Sequence, residues 1–317
     1  MIMNKNVSQS NGVQTVKINA GKVDNSGVEV GFRFVPFRTK DWDTALEINY
    51  SYNRNKLIDA NEALVTNEDK LAGNGQVVGE ALGTLYSYDY VGLDPESGYP
   101  VFRDMYGETT HENDNGKIIP NYTLWSDEVN LVKSGVMTAP SQGGINLSVG
   151  WKGLRLSGSF TYQFGGVNRL SGIYGSNSNR VYDPMSNVSK EYTKRWRKSG
   201  DEAKTDIPVL YNSRVFNKLS LRTYMTGKTE TKGTTMYDKS NVRVAKTDFL
   251  KMRSLSLNYV IPTKFISKWR LDQCTIGLQA TNLFTWADKR WEGSDPEAAF
   301  ATSPLTRTYT LNLNITF

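Results

Sequence analysis

The stretch Tyr309-Thr310-Leu311-Asn312-Leu313-Asn314-Ile315-Thr316-Phe317 decides the fold class. Apolar side chains fall at 309, 311, 313, 315 and 317, and a polar one stands at every position between. Successive side chains of an extended chain point to opposite faces, so this segment has one apolar and one polar face. A membrane β-barrel strand needs that division: lipid on one side, a polar lumen on the other, an aromatic at the interface.

The same alternation recurs upstream. In 27–37, Val28, Val30, Phe32 and Phe34 oppose Glu29, Gly31 and Arg33, and after a break at 38–41 the run 42–54 sets Leu46, Ile48, Tyr50 and Tyr52 against Glu47, Asn49, Ser51 and Asn53. Ile145, Leu147, Val149 and Trp151 alternate with Asn146, Ser148 and Gly150. Two residues later, Leu154, Leu156, Gly158, Phe160 and Tyr162 alternate with Arg155, Ser157, Ser159, Thr161 and Gln163, the pattern of a tight hairpin. Alternation returns in 249–261, where Leu255, Leu257, Tyr259 and Ile261 share a face, and in 271–286, where Ile276, Leu278, Ala280 and Phe284 do.

Seven strands are therefore expected, and their connections sort by length. Those at 38–41, 152–153 and 262–268 are short; those at 55–141, 165–246 and 287–305 are long. Strands that alternate in direction put all the short ones at one end. That is the asymmetry of an outer-membrane barrel, with short periplasmic turns and long extracellular loops. Trp42, Trp151 and Trp286 fall near strand ends, where aromatic girdles sit. The expected fold is all-β: an antiparallel up-and-down transmembrane β-barrel, present as a C-terminal fragment of about seven strands in an open sheet over 27–317. Residues 1–26 read as a polar loop lead-in with one short strand at 13–18. Within the first excursion, 82–93 and 99–102 form a small hairpin turned at 94–98, and in the second, 187–198 has helical character.

Composition narrows the function classes. Hydrophobic residues make up 38% and mean hydropathy is −0.49, so no membrane helix is expected, while barrel strands stay compatible because they alternate. One cysteine, Cys274, rules out internal disulfides and a multi-cysteine zinc site, and one histidine, His111, argues against His-based catalysis. The net charge of +6 is scattered, without basic runs interleaved with aromatics, so no nucleic-acid partner is expected. Residues 1–6 lack an apolar core, so no signal peptide is read there; if the protein is exported, the chain is expected to have lost its front.

Several segments resemble a known family in the same order along the chain. They are Leu250-Lys-Met-Arg-Ser-Leu-Ser-Leu-Asn-Tyr-Val-Ile-Pro262, Thr281-Asn-Leu-Phe-Thr285, Gly293-Ser-Asp-Pro-Glu297 and the terminal strand, preceded by Asn19-Ala-Gly-Lys-Val-Asp-Asn-Ser-Gly-Val-Glu29, Ser51-Tyr-Asn-Arg-Asn55, Gly92-Leu-Asp-Pro-Glu-Ser-Gly98 and Arg195-Trp196. Together they resemble the C-terminal barrel portion of SusC/RagA-type TonB-dependent transporters. The resemblance implies a barrel of about twenty-two strands around an N-terminal plug. It also implies import of oligosaccharide or peptide cargo, energy from the TonB complex acting through the N-terminal part, outer-membrane lipid around the wall, and a SusD-like surface lipoprotein as partner. On this resemblance the signal, the plug and the N-terminal barrel half are expected to lie outside this sequence.

Candidate chemistry is sparse. His111-Glu-Asn-Asp-Asn-Gly116 carries oxygen ligands but lacks both anchor carboxylates of a calcium loop, and reads as a solvated turn. Gly227-Lys228-Thr229 lacks the upstream glycine of a phosphate loop. Trp125, Tyr174, Tyr182, Arg195, Trp196 and Trp291 fall on the long connections and suit stacking on a ligand, against the blander role of loop anchors. Tyr309, Leu311, Leu313, Ile315 and Phe317 form the C-terminal barrel-assembly strand. No catalytic residue, metal site or cofactor is expected, and the chain is not read as an enzyme. The alternative is a soluble or surface-attached carbohydrate-binding β-sandwich, which would bury Leu147, Leu156, Leu257, Leu278 and Leu313 against a second sheet.

Overall fold

The computed structural model describes residues 2–6, 12, 15–19, 21–60, 65–112, 116–125, 127–173, 189–210, 230–231, 233–292, 294–298 and 305–317. The chain divides into two compact units. One, the wall, comprises Met1–Asp59, Thr138–Val167 and Lys246–Phe317; the other, the loop body, comprises Ala60–Met137 and Asn168–Ala245.

The wall is one antiparallel meander. Its strands are β1 (Lys22–Phe34), β2 (Trp42–Asp59), β3 (Ser141–Trp151), β4 (Leu154–Phe164), β5 (Phe249–Val260), β6 (Gln273–Thr281) and β7 (Thr308–Thr316). Each pairs with the strand next to it in sequence, and a short segment, Thr285–Ala287, also pairs with β5. β1 and β7 lie at opposite edges, so the sheet is open. Its connections divide as expected: β1–β2, β3–β4 and β5–β6 are joined at one end and the long excursions leave from the other. The β3–β4 turn has both central residues, Lys152 and Gly153, at positive φ (45° and 88°). This is the primed turn whose twist matches paired strands.

The register gathers the alternation into rows. On one face Phe34, Leu46 and Leu147 lie side by side; Val149, Leu156, Leu257, Leu278 and Leu311 make the next row. Trp42, Trp151, Leu154, Tyr259, Ile276 and Leu313 make the row at the short-turn end, with the Trp42 and Trp151 ring centroids 6.1 Å apart. Toward the other end Val30, Tyr50, Gly143, Tyr162, Leu250 and Trp286 form a second aromatic row. In that row Tyr162 lies over Gly143 and donates to the Asn49 carbonyl at 2.9 Å, filling the space where a Cβ would stand. Eight residues separate Trp42 from Tyr50, about 27 Å of strand at ~3.4 Å each. A tilt of ~40° lowers that to about 20 Å, close to the apolar band of a barrel. The one polar side chain in the middle rows, Thr44, exchanges hydrogen bonds with the Phe37 backbone at 2.9 and 3.0 Å.

This face is bare. Leu147, Leu156, Leu257, Leu278 and Leu313 are 42, 43, 38, 55 and 60% exposed, and every other sheet among the described residues has two strands. The sandwich alternative required these leucines to be sealed, and it falls on that count.

Three expectations change. The lead-in holds more strand than expected: Thr15–Asn19, which overlaps the short strand read at 13–18, pairs with Ile2–Asn6, and β1 already begins at Lys22. The run read as one strand over 271–286 breaks after Thr281, where Asn282 takes φ 55°, before Thr285–Ala287 joins β5. Of the segment expected to be helical at 187–198, the described residues hold a 3-10 turn at Lys190–Lys194, capped by the Ser189 hydroxyl. The excursions also hold more structure than loops. Leu71, Tyr88, Phe102 and Leu124 from the first and Ile173, Tyr192, Met236 and Tyr237 from the second build a single buried core. The hairpin turned at 94–98 is present as Tyr90–Leu93 against Pro100–Phe102.

An open sheet with one bare apolar face and two unpaired edges associates in water. The 317-residue chain refolded without detergent is expected to aggregate. A monodisperse monomer with one cooperative unfolding transition, measured by sedimentation and denaturant titration, would contradict an open, one-layered wall.

Candidate functional site

The polar face of the wall carries its charges in pairs. Arg33 meets Glu47 at 3.3 Å, and Arg155 donates to Asp43 at 2.6 Å and to Ser148 at 2.9 Å. These groups line a groove of about 380 Å³. Nearer the long-connection end, a cleft of about 390 Å³ is bordered by Lys251, Asn282, Asp288, Trp291, Asp295 and Arg307. Lys251, on β5, is 1% exposed and reaches Asp295 Oδ1 and Oδ2 at 2.9 and 2.7 Å and Glu297 Oε2 at 2.7 Å. Arg253 reaches the other oxygen of Glu297 and donates to Thr161 at 2.8 Å. Burial alone would raise the Glu297 carboxyl; the hydrogen bonds from Lys251 and Arg253 outweigh it and hold the group below its ordinary range. Reasoning from sequence missed this cluster. Its signal was present as a slip in the alternation of β5, from apolar at 250 and 252 to apolar at 255, 257 and 259.

Trp291 is 4% exposed and donates from Nε1 to the Lys246 carbonyl at 2.7 Å, so its ring anchors the connection that carries it. Asp288 caps the same turn; the Arg290 side chain first, then backbone amides, holds its carboxyl below the usual value.

In the loop body the predicted aromatics have the same character. Trp196 is 7% exposed, donates to Glu202 at 3.1 Å, and lies flat on Gly98, whose φ of 69° and missing Cβ admit the indole. Backbone hydrogen bonds from Trp196 to Ile207 and from Val209 to Gly98 close the junction. Gly98 ends the turn begun by Asp94, which accepts from the Ser97 amide at 3.0 Å, the Ser97 hydroxyl and the Tyr122 hydroxyl at 2.9 Å. Burial works to raise Asp94, yet the bonds from Ser97 and Tyr122 prevail and its carboxyl sits low. Burial, with the Asp94 acceptor adding, pushes Tyr122 up to about 12. Arg195 is half-buried and donates to the Tyr192 carbonyl at 3.0 Å. Trp125 is half-buried in a two-residue strand, Leu124–Trp125, against Glu230–Thr231. Tyr174 and Tyr182 lie outside the described residues. His111 Nδ1 pairs with Asn121 Oδ1 at 2.8 Å. Trp196 and Trp291 are internal struts whose rings face protein.

No family model matches the chain. Two curated relatives, both TonB-dependent receptors of Formosa agariphila, are 22% identical to it over 96% and 94% of its length. Among solved structures, the RagAB peptide transporter matches the whole chain at a TM-score of 0.72 and 21% identity. The RagAB peptide importer in its closed-closed state matches at 0.71 and 20%. The fold is that of a RagA-type barrel wall. The likeness to SusC/RagA-type transporters read from the ordered segments therefore holds over the full chain. The chain spans about 30% of the length of these curated relatives and 32% of each of these two RagAB chains.

The Gly98–Trp196 junction gives a direct expectation. Gly98→Ala places a Cβ inside the indole at a positive φ and should cost roughly 2 kcal/mol or more, and Trp196→Ala roughly 3–5 kcal/mol. Amide hydrogen exchange across 94–99 and 196–209 should rise in both. Asp94 titrates low in the folded state, so its contribution is complete above the ordinary carboxylate value near ~4 and is lost as pH falls through the folded value. The same amides should lose protection on acidification, and less so in Asp94→Asn, which begins unprotected.

Proposed function

We propose that this chain forms part of the wall of an outer-membrane, TonB-dependent nutrient importer that takes up oligosaccharides or peptides together with a SusD-like surface lipoprotein. The observation that carries the proposal is the bare apolar face of the meander, bounded by an aromatic row at each end, behind which the opposite face is polar and charge-paired. Such a surface is stable where hydrocarbon covers it and water fills the other side. The sequence likeness to TonB-dependent receptors supports the same reading.

On this reading the unpaired edges of β1 and β7 join strands from the rest of the barrel, because hydrocarbon offers no partner to edge N–H and C=O groups. The polar face lines the lumen, and the parts of the receptor outside this chain supply the plug and the contact with TonB. Loss of energy coupling then stops uptake without disturbing the wall. Trp125 and Arg195 remain candidates for cargo contact with Tyr174 and Tyr182; Trp196 and Trp291 serve by holding their segments in place. No catalytic step is assigned to any residue.

Two measurements test this. In the full-length receptor folded into lipid vesicles, Leu257→Arg should lose about 2–4 kcal/mol of stability, whereas Ser256→Arg, one residue along on the polar face, should lose far less. Equal costs would remove the lipid-facing assignment. In cells, removal of the receptor or of TonB should abolish growth on the same peptide or glycan. Growth that survives loss of TonB on a nutrient lost with the receptor would overturn the energy-coupled mechanism.

A further inference from the structure

We infer that Lys251 and Arg253 form a two-point clasp that holds the described part of the segment after β6, from Thr285 to Glu297, against the polar face of the wall, making it an inward strap in place of a free loop. The clasp begins with an irregularity in β5. Ser159 pairs with Ser254 and Phe160 with Met252, leaving Arg253 as an extra residue between them. A bulge of this kind turns a side chain away from its regular direction. Plain alternation already puts Lys251 and Arg253 on the polar face with Met252 in the apolar rows; the extra residue turns Ser254 to the polar face as well and returns Leu255, Leu257 and Tyr259 to the apolar rows.

The strap presents two carboxylates in a matching spacing, Asp295 and Glu297, on either side of Pro296. Proline fixes its own φ and holds the preceding residue extended, so the pair is preset. The Glu297 amide also donates to Asp295 Oδ1 at 3.0 Å, which closes the turn on itself. Two cations meet two anions, and the cluster is neutral as a whole. Lys251 is 1% exposed with the strap in place, so removing the carboxylates while the strap stays would leave its ammonium without a partner. An unpaired charge at that depth is strongly unfavourable.

Two further ties hold the start of the strap. Thr285–Ala287 pairs with Phe249–Lys251, and the buried Trp291 ring donates to the Lys246 carbonyl. The cleft of about 390 Å³ lies beside the clasp and includes Lys251 and Asp295 in its lining, so the position of the strap sets the width of that cleft. The clasp itself is argued from contacts within the wall; that it narrows a transport lumen rests on the proposed function.

The test uses the full-length receptor purified in detergent, with Lys251→Met and with Asp295→Asn/Glu297→Gln. Trypsin cleavage after Lys289 and Arg290 and amide exchange over 289–298 are followed, and unboiled SDS gels report whether the barrel is closed. Both variants should cleave and exchange at least tenfold faster than the parent while the barrel still runs as a folded species. Unchanged rates in closed barrels would overturn the clasp. If either variant fails to close, Arg253→Gln and Glu297→Gln, whose side chains are a third exposed, take its place: about threefold faster cleavage in each supports the clasp, and no change in either sinks it. A parent receptor that forms no closed barrel at all would count against the proposed function, a result distinct from failure of the strap.

Discussion

The constraint on which the wall depends is that a strand exposed to an apolar medium on one face must find all of its backbone hydrogen bonds in its neighbours. Hydrocarbon cannot replace water as a partner for N–H and C=O groups, and each one left over costs several kcal/mol. A meander with every strand beside its sequence neighbour meets this demand at all interior positions of the sheet. It also fixes the register, because a slip of one residue would move a whole strand's apolar side chains to the polar face. The rows Val149–Leu156–Leu257–Leu278–Leu311 and Arg33–Glu47–Asn146–Ser159–Ser254 are two outcomes of that one register. The demand is left unmet at the outer edges of β1 and β7.

The loop body is held by a different force. Its core of Tyr88, Phe102, Tyr192, Met236 and Tyr237 buries apolar surface in the ordinary way of a water-soluble domain. Edge-on ring contacts, such as Tyr90 with Tyr237 at 5.9 Å and Tyr99 with Tyr122 at 5.3 Å, order the aromatics. Its cations are met by fixed acceptors: the buried Arg243 pairs with Glu191 and the Ser171 carbonyl, and the half-buried Arg169 donates to the Leu71 and Tyr86 carbonyls. Burial lowers the Arg169 guanidinium to about 10. One polypeptide thus contains a sheet that turns apolar groups outward and a unit that turns them inward.

Within the wall itself, regular structure is interrupted in a few places. The unmatched Arg253, the positive φ of Asn282 and the buried Lys251 all occur where β5 and β6 end their plain alternation and the β6–β7 segment comes onto the sheet. Departures from a repeating pattern carry information that the pattern itself does not. In this wall they coincide with the densest set of buried ion pairs among its described residues.

The sequence by itself determined the number of wall strands, which face each residue takes and which ends carry long connections, because a period of two is a local property and needs no knowledge of neighbours. Leu311 and Asn312 declare opposite faces wherever the strand is placed. The phase slip at Arg253 and Ser254 stands in the same letters, but its meaning as a clasp was missed. Tertiary structure alone decided what the excursions become. Leu71, Phe102, Ile173 and Met236 are scattered over more than a hundred residues without any period, so nothing local announces that they share a core. It also decided the fate of the loop tryptophans. A tryptophan on a polar segment reads the same whether it awaits a ligand or rests on Gly98, and only the packing around Trp196 and Trp291 shows that their rings are occupied by the protein itself.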